Sequence, residues 1–276
     1  MKLPLAPSGL RLFLYITCLL DFSNRGMRTI DDILNFRGDI PPFLVHLTRD
    51  FEDMNAKARL NKILEEQKLR PSDNKISDAK FGIHNLGWAQ EKLTRYFGAV
   101  CFTETPLNEI HCLLEIQYRN VNLQPYGLVF LKEKLKEKSV GPVFYFNNEY
   151  RDKTSVIRKL CELIESDDVT DQEAAARLLP MISNFGNKIT PINNMAQDGR
   201  VDFLWEREWR LASIYAPLNF DLATDVFIGL CPHTEIEEFE LAYPNVMFID
   251  PRRNTKWYAT KLIEARQRLN LKVSVV

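Results

Sequence analysis

Phe43-Leu44-Val45-His46-Leu47-Thr48-Arg49, entered through Pro41-Pro42, reads as the first strand of a sheet. The prolines hold the preceding backbone extended, and the apolar run that follows suits a strand with core on at least one side. With a side-chain period of two, His46 and Thr48 share one face while Val45 and Leu47 pack the other. Upstream, Ile30, Ile33 and Leu34 have helical spacing, with Thr29 or Asp31 as cap and Gly38 as stop. Downstream, Ala56–Gln67 is a charged amphipathic helix, 72–80 a polar loop, Trp88–Phe97 a helix and Ala99–Glu104 a short apolar strand. Thr105 is placed to cap a helix over Leu107–Tyr118, with Pro106 in its first turn. Strands at Tyr126–Phe130 and Val143–Phe146 flank a charged helix, and two helices occupy 149–185. Gly186, Pro191 and Gly199 make 186–200 a loop before a strand at Trp205–Ser213. Short strands at Val226–Leu230 and Val246–Ile249 enclose an acidic helix, and Lys256–Leu269 closes the chain as a helix. This succession predicts an α+β domain with a mixed or antiparallel sheet and flanking helices.

The chain has 276 residues, 45% hydrophobic and 26% charged, enough to bury one sizeable core. Its 36 basic and 37 acidic residues give a net charge of -1, which provides no long-range field to draw in nucleic acid or an anionic membrane. The cysteines, Cys18, Cys101, Cys112, Cys161 and Cys231, are scattered and sit mostly in apolar runs, as buried thiols of a reducing, cytoplasmic compartment do. None forms a Cys-x-x-Cys pair, so no metal is expected. The apolar run Leu10–Leu20 is too short to span a bilayer and lacks a small-residue cleavage site, so residues 1–26 read as an over-extended start or an appended helix. Residues 27–276 are expected to form one domain.

The most informative polar pattern is Trp205-Glu206-Arg207-Glu208-Trp209-Arg210. On a regular strand Glu206 and Glu208 project together, and their mutual repulsion favours protonation of one beside an ionised other. Such a pair can stabilise a developing cation or activate a nucleophile. The competing reading is a strand whose acids are solvated or paired with Arg210. His46 and Thr48 could bind a ribose or amide by hydrogen bonds, or be structural; Arg49, at the strand end, could hold a phosphate or be solvated. Thr103, at the close of Phe102-Thr103-Glu104-Thr105-Pro106, is freer than Thr105 to serve a ligand. There is no phosphate loop with lysine, no Gly-x-Gly-x-x-Gly, no Gly-x-Ser-x-Gly and no His-Glu-x-x-His, which removes kinase, NTPase, hydrolase-elbow and zincin readings. Pro251–Tyr258 is basic and aromatic; it could contact nucleic acid but more commonly such a stretch is a solvated loop, and nucleic acid is not the favoured partner.

The run 43–49, the segment 100–107, the Tyr126-Gly127 strand and 205–211, in that order, resemble the AbiGi family of bacterial abortive phage-resistance proteins over roughly residues 27–260. The resemblance implies a role in abortive infection, with a cognate toxin, antitoxin or phage protein as partner; the net charge and the short apolar run give no reason to expect a membrane partner. A more distant resemblance, in the order His-x-Thr, Phe-Thr-Glu-Thr, Glu-x-Glu, is to the ADP-ribosyltransferase fold and its split sheet. That likeness implies NAD as substrate, with His46 and Thr48 holding NAD, Arg49 in the place of the usual arginine, and Thr103 supporting the site. It makes Glu208 catalytic with Glu206 assisting, either transferring ADP-ribose to a macromolecule or hydrolysing NAD. The non-catalytic alternative is an antitoxin or phage sensor that binds a partner toxin and uses the same strand acids structurally.

Overall fold

The computed structural model describes residues 40–71, 96, 98–116, 122–147, 153–185, 187–188, 200–201 and 203–271, all within the unit Asp39–Val273. The expected helices near Ile30 and over Trp88–Phe97, the loop 72–80 and the extension 1–26 lie outside them, apart from Tyr96 in a helical residue. In chain order the elements are β1 (Phe43–Arg49), α1 (Ala56–Glu66), β2 (Lys68–Leu69), β3 (Ala99–Thr103), α2 (Ile110–Glu115), β4 (Leu123–Leu131), α3 (Lys132–Glu137), β5 (Gly141–Pro142) and β6 (Phe144–Asn147). They continue with α4 (Lys153–Ile164), α5 (Val169–Leu178), β7 (Ile182–Phe185), β8 (Asn187–Lys188), β9 (Arg200–Val201), β10 (Glu208–Ala212), β11 (Leu218–Asn219), β12 (Val226–Leu230), α6 (Ile236–Ala242), β13 (Phe248–Ile249) and α7 (Ala259–Arg268).

Seven strands form one sheet in the order β13-β12-β4-β1-β3-β10-β5, antiparallel except for β12 and β13, which α6 joins as a parallel pair. Consecutive residues Phe43, Leu44 and Val45 are all buried, as is every residue of β12, so side chains on both faces of the central strands are covered. The chain is therefore an α+β protein with a mixed sheet flanked by helices. Helix α1 shows why: Ala56, Leu60 and Leu64 recur at a spacing of four and are buried. Asn55 starts that helix by accepting the Ala58 N–H at 2.8 Å. Aromatic rings fill the main core, with Phe43 stacked on Phe227 at 4.1 Å and Phe130 meeting Phe220 edge-on at 5.1 Å.

A second cluster joins Ile157, Cys161 and Ile164 of α4 to Ala175, Ala176, Leu179 and Ile182 around α5. The turn after α5 packs against β10.

Several expectations change. The helices expected over 149–185 end at Leu178, followed by a 3-10 turn at Leu179–Met181 and strand β7, and the loop expected over 186–200 contains β8. The strand predicted over Trp205–Ser213 is only Glu208–Ala212, because Phe203–Glu206 forms a 3-10 turn. Thr105 does not cap the next helix: its hydroxyl lies 2.7 Å from that of Thr103, and the segment opens as a 3-10 turn, Leu107–Glu109, before α2. The final helix also opens as a 3-10 turn, Thr255–Tyr258. Of the cysteines, Cys161 and Cys231 are buried, Cys101 and Cys112 are half-buried, and Cys18 lies outside the described residues.

Candidate functional site

Strand β3 carries the centre of the predicted site. Its Thr103 stands opposite Val45 of β1 on one side and Glu208 of β10 on the other. Residues directly opposite in antiparallel strands share a face, so Val45, Thr103 and Glu208 project together. His46, next along β1, projects to the other face with Phe102, its ring centroid 5.7 Å from that phenyl ring. The histidine and the glutamate expected to line one hollow are thus on opposite sides of the sheet.

The two glutamates also part company. Glu206 ends the 3-10 turn, Arg207 takes a left-handed φ of 43°, and only Glu208 lies in β10, so the expected side-by-side projection from one strand does not occur. Thr103 holds this junction by donating its hydroxyl to the Glu206 carbonyl at 2.6 Å. The same oxygen accepts the Thr105 N–H at 3.1 Å, so its capacity is spent on the backbone.

Glu208 is gripped by Arg210, two residues along the same face: Nε donates to Oε1 at 2.9 Å and the terminal nitrogen to Oε2 at 2.7 Å. The other terminal nitrogen of Arg210 donates to the Pro180 and Ile182 carbonyls at 2.6 and 3.1 Å. Burial opposes the guanidinium charge, but the Glu208 carboxylate outweighs it and raises the Arg210 pKa. The hydroxyl of Tyr145, which accepts the Glu208 N–H at 3.0 Å, is pushed up to about 12, chiefly by burial.

On β1, His46 donates from Nδ1 to the Cys101 carbonyl at 2.8 Å. Burial lowers its pKa below 6.5 despite that hydrogen bond, leaving the imidazole neutral. A folded pKa beneath the unfolded one means the stability is fully present above about pH 6.5 and is lost as pH falls through the folded value. Unfolding free energy should therefore decline on acidification by at most about 1.4 kcal/mol per pH unit from this residue. Denaturant titrations between about pH 7 and pH 5 should show a shallower decline in His46→Asn; an identical decline would clear His46 of the effect.

Thr48 shares its hydroxyl proton between the Ala56 and Tyr126 carbonyls at 3.0 and 3.2 Å. A register irregularity between Leu47 and Arg49 breaks the alternation of β1, and the Arg49 guanidinium lies 5.3 Å from the Phe51 ring centroid. Of the predicted residues, the fold brings Thr103 to Glu206 and Glu208, while His46, Thr48 and Arg49 each serve separate neighbours.

A charged cluster forms around Glu104, outside the residues expected to carry chemistry. Glu104, just past β3, receives Lys132 Nζ at 2.7 Å and Trp209 Nε1 at 3.0 Å on its two oxygens. Glu104 is buried and the Lys132 ammonium also lies 5.8 Å from the Trp209 ring. The only local signal was an acid in an otherwise apolar strand end; its partners come from β10 and α3. Among the described residues, no group of three or more His, Cys, Asp or Glu side chains is placed to hold a metal ion, and no helix is long and apolar enough to cross a membrane.

Residues 90–227, half of the 276-residue chain, match the family described as "Putative abortive phage resistance protein AbiGi, antitoxin". The chain belongs to the AbiGi family. The AbiGi match is narrower than the 27–260 read from the motifs: it takes in Thr103, Glu104, Lys132, Glu208 and Arg210 but begins after β1 with His46, Thr48 and Arg49. No curated protein and no solved structure matches the chain.

Proposed function

We propose that this AbiGi member acts in abortive phage resistance as a non-catalytic antitoxin that holds a partner toxin. The observation that carries this reading is the commitment of the polar side chains that NAD chemistry would need. Both oxygens of Glu208 are taken by Arg210, the Thr48 and Thr103 hydroxyls by backbone carbonyls, and His46 faces away from Glu208. The antitoxin description of its family supports the same reading. ADP-ribosyl transfer and a transferase-like sheet draw on strand order alone, and the separation of Glu206 from the strand of Glu208 weakens both.

Two measurements test the proposal together. Incubated with NAD labelled in the nicotinamide, the purified chain is expected to release none. Co-expressed with the protein of an adjacent toxin gene, it is expected to relieve growth arrest, and Glu208→Gln, assayed at a temperature where it remains folded, is expected to relieve it equally. Nicotinamide release by the wild type that disappears in that variant would overturn the reading in favour of the enzyme.

A further inference from the structure

The turn that follows β13 is fixed from within. Asp250 is buried, and its carboxylate accepts the backbone N–H of His233 at 2.9 Å and that of Arg252 at 3.0 Å. It also takes Nε and a terminal nitrogen of the Arg252 guanidinium at 3.0 and 2.8 Å. Arg253 N–H donates back to the Asp250 carbonyl at 3.1 Å, Asn254 accepts the Lys256 N–H through its side chain at 2.9 Å, and Trp257 N–H returns to the Asn254 carbonyl at 3.0 Å.

This rigid frame turns its largest apolar group outward. Trp257 is 77% exposed while its neighbour Tyr258 is buried, with its hydroxyl 3.2 Å from His233 Nδ1. The Arg253 guanidinium sits 6.0 Å from the Trp257 ring centroid, the geometry of a cation over a π face. A lone exposed aromatic asks for no explanation. One held on a braced turn beside cations does, because immobility lowers the entropy cost of binding and the cations give the site a sign.

On nearby α6, Glu238 is paired with Lys57 and Glu240 with Lys261, while Glu237 is exposed. The charge of Arg252 is answered by Asp250. Among the described residues, Arg253 and Lys256 have no carboxylate partner, and both are exposed.

We propose that the Arg253–Trp257 turn is a stacking site for an unpaired nucleobase of single-stranded nucleic acid, with Arg253 and Lys256 meeting the flanking phosphates. A net charge of -1 gives no long-range steering, so the contact is short-range and led by stacking. The site stands apart from the antitoxin reading and requires no toxin.

Anisotropy of fluorescein-labelled uridine and thymidine oligonucleotides, measured with the full chain at about 50 mM salt, tests it directly. Saturable binding of both is expected, since stacking does not read the sugar. Trp257→Leu, an exposed change that leaves the melting temperature in place, should weaken binding about tenfold. Lys256→Ala should flatten the slope of log affinity against log salt by about 0.7. The proposal is overturned if neither oligonucleotide binds, or if Trp257→Leu binds as the wild type does. It is equally overturned if polyglutamate displaces the oligonucleotides as readily as unlabelled oligonucleotide, which would make the turn an acidic-peptide site.

Discussion

Arg210→Ala is expected to cost about 3 kcal/mol of unfolding free energy, near the lower end for breaking a buried ion pair because Glu208 keeps some contact with water. The guanidinium does two things at once. It neutralises Glu208 through two hydrogen bonds, and it satisfies the Pro180 and Ile182 carbonyls in the turn after α5. Alanine leaves a carboxylate and two carbonyls short of donors while opening a hole beneath β10. Urea denaturation followed by circular dichroism should show the midpoint fall with little change in slope. Glu208→Gln should cost less than Arg210→Ala, because the amide keeps one acceptor for the arginine. The two changes together should cost less than the sum of each alone, the mark of a direct pair. A loss below about 1 kcal/mol for Arg210→Ala would mean that the pair is effectively solvated.

Gly127→Ala is expected to be at least as damaging, on the order of 3 kcal/mol, and for a different reason. A Cβ at this position would stand 2.2 Å from the His46 carbonyl oxygen and 3.1 Å from both the His46 carbonyl carbon and Leu47 Cα. All three are main-chain atoms, so no rotamer change relieves the clash, and β1 must move away from β4 where Leu47 pairs with Gly127. At Gly229 the nearest atoms are those of the Phe248 ring, 2.1 Å away, which can yield at some loss of packing. Gly229→Ala should therefore cost less than Gly127→Ala when both are unfolded in urea. The reverse order would show that the β1–β4 pairing relaxes more freely than the aromatic core.

How far the sequence foretold this structure depended on how local the deciding contacts were. Strands β1, β3 and β12 are largely apolar runs bounded by proline, glycine or a polar turn, and their places could be read directly. The alternation Trp205-Glu206-Arg207-Glu208 looked equally strand-like. It fails because Thr103, 103 residues earlier, ties down the Glu206 carbonyl and Arg207 takes a left-handed conformation. Neither is visible in a two-residue period. The alternation itself offers Arg210 as a partner for the acids, but its carbonyl partners at Pro180 and Ile182 come from another element, and no spacing rule reaches them. The face of His46 on β1 followed from periodicity, whereas the face of Glu208 relative to it required the rung through Thr103.

Between β1 and β3 the ladder holds at a single position, Val45 with Thr103, and beyond it the ring of His46 takes the Cys101 carbonyl. An imidazole there does the work of a peptide group, so the join is sewn partly with a side chain that acid can alter. Breathing of the native chain should begin along this line, the ribbon β12-β4-β1 and the ribbon β3-β10 each staying intact while the stitch between them slips.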